Sequence, residues 1–326
     1  MNKIAIIGTG VYGIAMAKAL SQNKDNDIIM WTESEENVKK LETGKKGFDP
    51  LDNVKIPKSI KFTCSYEEAL KDTKYVFIMC TAKFVGSVAH DMKPYINKNM
   101  YFVIGSKGIE QGSCRFVHEV FLDEIKTKNL AVISGPSFAI DIARLEPIGL
   151  ACGVKTNETF KVIHKLYKNT NIKIRKSKDM IGTELCGSIK NVIAVAAGIL
   201  DGLGYSESTR SFLITESLHD IKSLIKGLGG RGKTILSFAG VGDLLLTATS
   251  AKSRNYSYGV LLGKGDFKKA NEYLENTTVE GYYTLKSVYS LIRKKKIKMP
   301  VIDLIYKIVM NNDDPKKLER FLMEKE

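Results

Sequence analysis

The first half of the chain alternates short apolar runs with segments of helical periodicity. Ile4–Ile7 form an apolar run without a polar break, which is typical of a strand buried on both faces. This alternation predicts an α/β domain built on a parallel, doubly wound sheet. The further predicted strands are Asp27–Trp31, Lys61–Thr63, Tyr75–Cys80, Tyr101–Ile104, Leu130–Ser134, Pro147–Cys152 and Asn171–Ile174.

The pattern changes near Lys178, where strand-like runs stop and long helical segments continue toward the C-terminus. A chain of 326 residues exceeds what one hydrophobic core usually serves, so two domains are expected, at 1–177 and 178–326. Residues 182–200 are small and apolar almost throughout, which predicts a buried helix. Pro300–Phe321 is predicted to be an amphipathic helix. We expect neither a membrane-spanning run nor a signal peptide.

Three glycines follow the first predicted strand. Gly8, Gly10 and Gly13 have the spacing G-x-G-x-x-G and lead directly into a helical pattern. In this context the glycines allow a tight turn, room for a pyrophosphate and close packing of helix on strand. The segment therefore predicts dinucleotide binding, and the alternative is a glycine turn that binds no ligand.

An acidic residue ends the second predicted strand. Glu33 stands 20 positions after Gly13, where such folds place the carboxylate that accepts hydrogen bonds from the adenosine ribose. A carboxylate there repels a 2′-phosphate, so Glu33 favours NAD(H) over NADP(H). The alternative is a role in the N-terminal cap of the next helix, because Ser34 and more acidic residues follow.

Other candidate side chains follow later strands. In an open α/β sheet, ligands bind at the carboxyl ends of the strands. Phe84 follows one such strand. Its side chain either lines the cofactor cleft or packs in the hydrophobic core. Lys107 lies between two glycines after the next strand, and Ser137 lies in a strand–turn–helix segment whose N–H groups suit a cofactor or substrate.

The helical half contains isolated polar residues in apolar surroundings. Lys190 interrupts the predicted buried helix, where an unpaired ammonium is very costly, so it is expected to be paired or functional unless it extends to the surface. Asp243 lies in the apolar segment AGVGDLLLT. Arg254, in KSRN, offers donors suited to a phosphate, although such a residue alone is more often in a surface salt bridge. Glu280 precedes a glycine.

Composition narrows the choice of partners. The chain has 50 Lys and Arg against 36 Asp and Glu, a net charge of +14, which is compatible with nucleic-acid binding or with attraction of phosphorylated metabolites. The basic residues are scattered, and the dense run Arg293–Lys298 is interpreted as a solvated helix end. The five cysteines form no C-x-x-C pair and the four histidines are isolated, which indicates a reducing cytoplasm and no metal site.

Seven segments resemble, in order and spacing, the bacterial NAD(P)-dependent glycerol-3-phosphate dehydrogenases: GTGVYG, SKGIE, SGPSFA, IKNVIA, AGVGDLLLT, KSRN and VEG. The resemblance covers essentially the whole chain. It implies a Rossmann-like N-terminal domain followed by an all-helical C-terminal domain of the 6-phosphogluconate dehydrogenase type. It also implies interconversion of dihydroxyacetone phosphate and sn-glycerol 3-phosphate for phospholipid synthesis, with NAD(H) as the cofactor and NADP(H) left open.

The resemblance assigns roles by position. Lys190 matches the family's proton-transfer lysine, which also contacts the substrate. The other implied substrate contacts are Lys107, Gly135, Ser137, Asp243, Thr247, Ser253, Arg254 and Asn255. The resemblance adds cofactor contacts at Val11, Tyr12, Lys107, Ala139, Arg254 and Glu280. They join the cofactor candidates already named, which are Gly8, Gly10, Gly13, Glu33 and Phe84.

These roles predict a mechanism. The nicotinamide delivers hydride to the carbonyl carbon of dihydroxyacetone phosphate, while Lys190 protonates the developing alkoxide and Asp243 orients Lys190. Lys107 adds positive charge near the same oxygen. Arg254 and Asn255 hold the phosphate and so fix the position of the carbonyl group. The expected partners are this small-molecule substrate and, as an open possibility, a second copy of the chain.

Two departures from the family pattern leave alternatives open. Many bacterial members carry Arg or His where Glu33 stands, so an NADP preference is in doubt, and TAKF follows Cys80 where a proline is usual. One alternative function is a reductase of the same architecture acting on a 3-hydroxy acid or on ketopantoate, which would lack the KSRN phosphate anchor. Another is a dinucleotide-sensing or nucleic-acid-binding protein without enzymatic activity.

Overall fold

A computed structural model describes residues 1–43, 51 and 54–324. The chain forms two compact units, one of Met1–Lys107 with Val117–Met180 and the other of Gly108–Phe116 with Ile181–Glu326. The domain limits inferred from the sequence, 1–177 and 178–326, stay a prediction. The short segment Gly108–Phe116, closed by an antiparallel bridge between Ile109 and Phe116, packs with the helical unit although it comes between two strands of the sheet unit.

The first unit contains a sheet of eight strands, counted over the described residues, in the order β3-β2-β1-β4-β5-β6-β7-β8. All neighbouring strands are parallel except β6 and β7, which are antiparallel. The fold class predicted for this half is therefore confirmed. The strands are β1 (Asn2–Ile7), β2 (Asn26–Trp31), β3 (Lys61–Thr63), β4 (Tyr75–Ile78), β5 (Tyr101–Ile104), β6 (Leu130–Ser134), β7 (Ile148–Val154) and β8 (Ile172–Ser177).

Both faces of this sheet are buried, which explains the uninterrupted apolar run of β1. Successive side chains of a strand point to opposite faces. Ile4 and Ile6 therefore pack in one hydrophobic cluster, whereas Ala5 and Ile7 pack in a second cluster on the other face. The helices of this unit are α1 (Val11–Leu20), α2 (Glu35–Glu42), α3 (Tyr66–Leu70), α4 (Val85–Met92), α5 (Val117–Glu124), α6 (Ala139–Ala143) and α7 (Asn157–His164).

Long helices make up the second unit, as the sequence pattern predicts. They are α8 (Met180–Gly202), α9 (Glu207–Gly227), α10 (Asp243–Ala248), α11 (Arg254–Gly263), α12 (Phe267–Asn276), α13 (Glu280–Lys294), α14 (Pro300–Asn311) and α15 (Lys317–Glu324). The predicted single helix over Pro300–Phe321 is instead two helices. Asn312 adopts a left-handed conformation with φ of 55° at the end of α14, which stops the helix there.

The predicted buried helix is α8. By length and composition alone this helix is also long and apolar enough to cross a membrane, the one such helix among the described residues. Its most apolar window is 89% buried inside the protein. The apolar surface of α8 is thus used for packing within the helical unit.

Helices α8 and α11 touch backbone to backbone. Gly198 of α8 and Gly259 of α11 are so close that a Cβ added to Gly259 would lie 3.0 Å from the Cα of Gly198. One turn further along, a Cβ added to Gly263 would lie 2.9 Å from the Cα of Gly202. Two glycines spaced four apart on each helix therefore remove every side chain from the line of contact.

We expect Gly259→Ala to destabilise the protein. The new methyl group would lie 2.1 Å from the carbonyl oxygen of Val195, so the two helices must separate. Overpacking of this kind costs about 1–3 kcal/mol, which corresponds to a fall in Tm of roughly 2–4 °C per kcal/mol. Thermal unfolding followed by circular dichroism measures the change.

The matched control is Gly86→Ala in α4. Its methyl group would meet only Cγ1 of the Val120 side chain, at 3.2 Å, and alanine favours the helix. We expect this variant to unfold at or above the wild-type Tm. Equal Tm values for the two variants would contradict the close-contact role of Gly259.

Candidate active site

The glycine segment forms the turn between β1 and α1. Gly8 has φ of +113°, and a Cβ on Gly13 would lie 2.4 Å from the carbonyl oxygen of Gly8, so both positions require glycine. A Cβ on Gly10 would meet nothing within 4 Å, which leaves open space beside the backbone. Gly10 is also the N-cap of α1, where no side chain caps the helix. These features fit a pyrophosphate bound against the N–H groups at the start of a helix.

Three candidate side chains come together at the carboxyl ends of β1, β5 and β6. Tyr12 is the second residue of α1, and its hydroxyl lies 3.4 Å from the Ser137 Oγ. The Lys107 ammonium lies 5.8 Å from the centre of the Tyr12 ring. Ser137 in turn donates to the carbonyl oxygen of Gly135 at 2.8 Å. Lys107 thus carries its charge near an aromatic ring at the carboxyl ends of these strands.

Three further candidates, Val11, Ala139 and Phe84, follow the carboxyl ends of the strands β1, β6 and β4. Val11 begins α1 and Ala139 begins α6, and both are partly buried against the core. Phe84 ends a short 3₁₀ turn after β4 and is 49% exposed, so its interpretation as a core residue is wrong. The strands β1 and β4 are neighbours although β2 and β3 come between them in sequence, and such a switch in strand order is where open α/β sheets bind ligands.

Glu33 follows β2 and is exposed. The next residue, Ser34, is the N-cap of α2 and accepts a hydrogen bond from the N–H of Asn37 at 3.3 Å. Ser34, and not Glu33, therefore accepts the backbone N–H at the start of α2. Glu33 accepts instead from the side chain of Asn37 in the first turn, at 2.9 Å, so it contacts the helix start without capping its backbone.

The helical unit contains a buried ion pair. Lys190 Nζ donates to Asp243 Oδ1 at 2.5 Å, and the two side chains are 9% and 0% exposed. Asp243 is the first residue of α10, where the partial positive charge of the helix N-terminus stabilises a carboxylate. The alternative of a lysine that extends to the surface is wrong. A buried lysine with one fixed carboxylate beside it is suited to holding and releasing a proton.

The turn before α10 explains how Asp243 reaches this position. Gly240 has a non-helical backbone inside a π-helical turn over Phe238–Gly242, and a Cβ there would lie 2.0 Å from the carbonyl oxygen of Ile235. Thr247, one turn after Asp243, is buried and donates its hydroxyl to the carbonyl oxygen of Asp243 at 2.7 Å. In this structure Thr247 therefore supports the backbone that carries Asp243.

The KSRN segment begins α11. Ser253 is the N-cap and accepts from the N–H of Tyr256 at 3.3 Å, so its predicted substrate role competes with a capping role. Arg254 is exposed, and within residues 1–43, 51 and 54–324 it has no hydrogen-bond or ion-pair partner. The interpretation of Arg254 as a surface salt-bridge residue is thus not supported, and its guanidinium is available to a ligand anion.

Asn191 links two of the candidate residues, although the sequence analysis gave it no role. This side chain is 3% exposed and joins two predicted site residues, because its Oδ1 accepts from Asn255 Nδ2 at 3.0 Å and its Nδ2 donates to Glu280 Oε2 at 3.1 Å. Asn255 Oδ1 also accepts from the N–H of Gly281 at 2.7 Å. The one available signal was its position beside Lys190 in a helix that is otherwise apolar.

The candidates thus fall into two sets. The structure assembles the first within the sheet unit and the second within the helical unit. In the first set are Gly8, Gly10, Val11, Tyr12, Gly13, Glu33, Phe84, Lys107, Gly135, Ser137 and Ala139, and in the second are Lys190, Asp243, Thr247, Ser253, Arg254, Asn255 and Glu280.

Comparisons with known proteins agree with this arrangement. Residues 3–160 match the family described as NAD-dependent glycerol-3-phosphate dehydrogenase N-terminus, and residues 179–320 match its C-terminus. Glycerol-3-phosphate dehydrogenase (NAD(P)+) from Staphylococcus epidermidis is 34% identical over 331 residues, which cover 100% of this chain and 99% of that protein. The chain belongs to the NAD-dependent glycerol-3-phosphate dehydrogenase family.

Further relatives extend this result. The Bacillus subtilis protein of the same name is 34% identical, with 95% of this chain and 91% of that protein covered. A crystal structure of glycerol-3-phosphate dehydrogenase from Coxiella burnetii superimposes with a TM-score of 0.91 at 32% identity, over 99% of both chains. A D-mandelate dehydrogenase, at 12% identity and a TM-score of 0.63 over 97% of this chain and 99% of that one, shares the fold alone.

We expect Asn191→Ala to destabilise the helical unit. Removing this amide leaves Asn255 Nδ2 and Glu280 Oε2 without their partner, and an unsatisfied buried polar group costs about 1–3 kcal/mol. The matched control is Asn276→Ala at the exposed end of α12, which should change stability by less than about 0.5 kcal/mol. Urea unfolding followed by circular dichroism compares them, and equal midpoints would contradict a stabilising role for Asn191.

Proposed function

We propose that the buried Lys190–Asp243 pair performs the proton transfer of this chain's dehydrogenase reaction. The reaction is that of glycerol-3-phosphate dehydrogenase: reversible transfer of hydride between NAD(P)H and dihydroxyacetone phosphate, which gives sn-glycerol 3-phosphate. The chain is therefore an NAD(P)-dependent oxidoreductase, and a role in supplying glycerophospholipid synthesis is consistent with it. The proposal is carried by one observation: Lys190 is buried and forms an ion pair with the fully buried Asp243.

The sheet unit fits the cofactor. Open space at Gly10 and the uncapped start of α1 suit a pyrophosphate, so Gly8, Gly10, Val11, Tyr12 and Gly13 would hold it. When bound, the nicotinamide supplies the hydride that goes to the substrate carbonyl carbon. The further proposed cofactor contacts are Phe84, Lys107, Ala139, Arg254 and Glu280.

Lys190 supplies the proton that the reduced carbonyl oxygen needs. In the direction of reduction its ammonium protonates the developing alkoxide, and in oxidation the neutral amine takes the proton back. Asp243 stabilises the ammonium and fixes its position through the 2.5 Å hydrogen bond. Since Asp243 is 0% exposed, water does not compete for this carboxylate, and the pair keeps one geometry.

Substrate binding requires recognition of a phosphate. Arg254 has a free guanidinium and lies beside Asn255 at the start of α11, so we assign the phosphate to these two residues. Anchoring the phosphate also fixes the position of the carbonyl carbon, which is three bonds from the phosphorus atom. An uncharged triose has no phosphate and would lack this anchor. Gly135, Ser137 and Lys107 are the proposed contacts from the sheet unit, and Thr247 and Ser253 are those from the helical unit.

The proposal also includes the cofactor preference, the cellular location and the assembly of the protein. Glu33 favours NAD(H), because its charge opposes a 2′-phosphate. We also propose a cytoplasmic location, because all five cysteines are free thiols. A homodimer without nucleic-acid or membrane partners is the proposed assembly, and light scattering with size exclusion tests it.

The activity is tested by oxidation of NADH on adding dihydroxyacetone phosphate, followed by the loss of reduced-nicotinamide absorbance. Dihydroxyacetone and ketopantoate serve as the matched substrates without the phosphate. We expect turnover with the phosphorylated triose and little with the other two. Faster turnover of ketopantoate would favour the alternative reductase, and no turnover with salt-sensitive DNA binding would favour a nucleic-acid-binding protein.

Replacement of Lys190 tests the proton-transfer role. Lys190→Ala should lower kcat by several orders of magnitude, because general acid catalysis and charge stabilisation are lost together, roughly 10²–10⁴-fold for the first alone. NADH affinity should change little. The control is Lys294→Ala, at the exposed end of α13, which should keep wild-type kcat.

A loss of activity caused by misfolding must be distinguished from one caused by the loss of proton transfer. Lys190→Ala leaves Asp243 buried and unpaired, which is costly, whereas Lys190→Met combined with Asp243→Asn removes both charges. Circular dichroism and NADH binding establish that the double variant is folded. Near-normal kcat in either folded variant would rule out Lys190 as the proton donor.

Replacement of Arg254 tests the phosphate anchor. Arg254→Ala should raise KM for dihydroxyacetone phosphate by about 10²-fold, since a charged hydrogen bond of roughly 1.5–3 kcal/mol is lost. Arg293→Ala, which removes an exposed arginine paired with Asp303 at 3.2 Å, is the control. An unchanged KM in the Arg254 variant would remove its role as anchor.

A further inference from the structure

The Glu33 carboxylate is held by two neighbouring side chains. Thr32 Oγ1 donates to Glu33 Oε2 at 3.1 Å, and Asn37 Nδ2 donates to Glu33 Oε1 at 2.9 Å. Thr32 directly precedes Glu33 in the chain, and Asn37 lies in the first turn of α2. Each oxygen of the carboxylate therefore has one protein donor, which fixes the plane of the group although Glu33 itself is exposed.

A second hydrogen bond connects this arrangement to the glycine turn. Thr9, between Gly8 and Gly10, donates its hydroxyl to Thr32 Oγ1 at 3.0 Å. Both threonines are buried, with Thr9 7% and Thr32 0% exposed. Because the Thr32 hydroxyl accepts from Thr9, its own proton is directed toward Glu33. The orientation of the carboxylate thus depends on the turn that fits the pyrophosphate.

The remaining acceptor capacity of Glu33 matches a ribose. A carboxylate offers about four lone-pair directions, and two of them are used by Thr32 and Asn37. One direction on each oxygen is left for a further donor. Two adjacent hydroxyls of a ribose present two donors, so a carboxylate held in this plane accepts from both at once. A 2′-phosphate removes one donor and adds negative charge at the same place.

We propose that Thr32 and Asn37 are positioning residues that determine cofactor specificity: they fix the Glu33 carboxylate as the acceptor for both hydroxyls of the adenosine ribose. The inference rests on the proposed role of Glu33 in favouring NAD(H). It adds that the preference depends on the orientation of the carboxylate as well as on its charge. A carboxylate that is free to rotate loses affinity for the ribose and turns away from a 2′-phosphate.

A simpler interpretation is that Asn37 makes an ordinary surface contact with Glu33, four residues earlier. Such a contact would affect neither cofactor, whereas a positioning role weakens the binding of NADH without weakening that of NADPH. Asn37→Ala distinguishes them. The backbone N–H of residue 37 still donates to Ser34 in this variant, so the cap of α2 is kept.

The experiment measures cofactor dissociation constants by calorimetry with the full-length protein. The ligands are NADH and NADPH, together with ADP-ribose and its 2′-phosphate, which report on the adenosine end alone. Wild type, Asn37→Ala, Thr32→Val and Glu33→Gln are compared. The control is Thr43→Val, because the Thr43 hydroxyl donates only to backbone carbonyls at the other end of α2.

We expect Asn37→Ala and Thr32→Val to weaken NADH and ADP-ribose about three- to tenfold, the amount lost when one side chain must be ordered on binding. NADPH should bind equally or more tightly. In steady-state assays KM for NADH should rise while kcat stays at the wild-type value. Thr43→Val should match wild type in every measurement.

The results distinguish the positioning roles of Thr32 and Asn37 from the role of Glu33 itself. If Glu33→Gln lowers the preference for NADH while Asn37→Ala and a folded Thr32→Val do not, the positioning inference is overturned and the role of Glu33 stands. If wild type prefers NADPH, or Glu33→Gln leaves the preference unchanged, the role of Glu33 fails and the inference fails with it. A preference reduced by Asn37→Ala as well as by Glu33→Gln supports both.

Discussion

The contact of α8 with its neighbours through glycine is the constraint on which the helical unit depends. A Cβ on Gly198 would lie 2.1 Å from the carbonyl oxygen of Tyr256, and one on Gly281 would lie 2.5 Å from that of Asn191. The start of α13 therefore approaches the backbone of α8 beside Lys190, and the start of α11 approaches it at Gly198, about two turns further along. At this distance one amide, Asn191, can bond to both helix starts. Larger residues at the glycine positions would separate these groups by more than a hydrogen bond can span.

Close packing also explains how this unit tolerates a buried charge pair. Removing Lys190 and Asp243 from water is costly, and their attraction compensates only when the geometry is fixed. The rigid surface of α8 positions the lysine, while the bent turn at Gly240 and the start of α10 position the carboxylate. A buried pair is weak evidence for stability, since apolar residues of similar size would serve as well. The presence of Lys190 in a helix that is buried along almost its whole length therefore favours a chemical role.

The sheet unit uses glycine for a different purpose. Gly8 and Gly13 bring α1 against the strands, and Gly10 leaves space for a ligand. Hydrogen bonds continue from the same turn through Thr9 and Thr32 to Glu33, so the turn and the proposed ribose acceptor form one connected structure. The Lys190–Asp243 pair lies in the other unit. The proposed cofactor selection and the proposed proton transfer thus belong to separate parts of the chain, which allows each to be altered by mutation while the other is measured.

The sequence by itself determined the strands, the glycine turn and the candidates Lys190 and Asp243, because each has a local signal: an apolar run, a fixed spacing, or a charge in an apolar segment. It did not determine which residues meet. Lys190 and Asp243 are 53 positions apart, and Asn191 and Glu280 are 89 apart. Only packing of helix against helix brings such residues together. Local patterns cannot encode these outcomes, since they depend on surfaces contributed by distant segments.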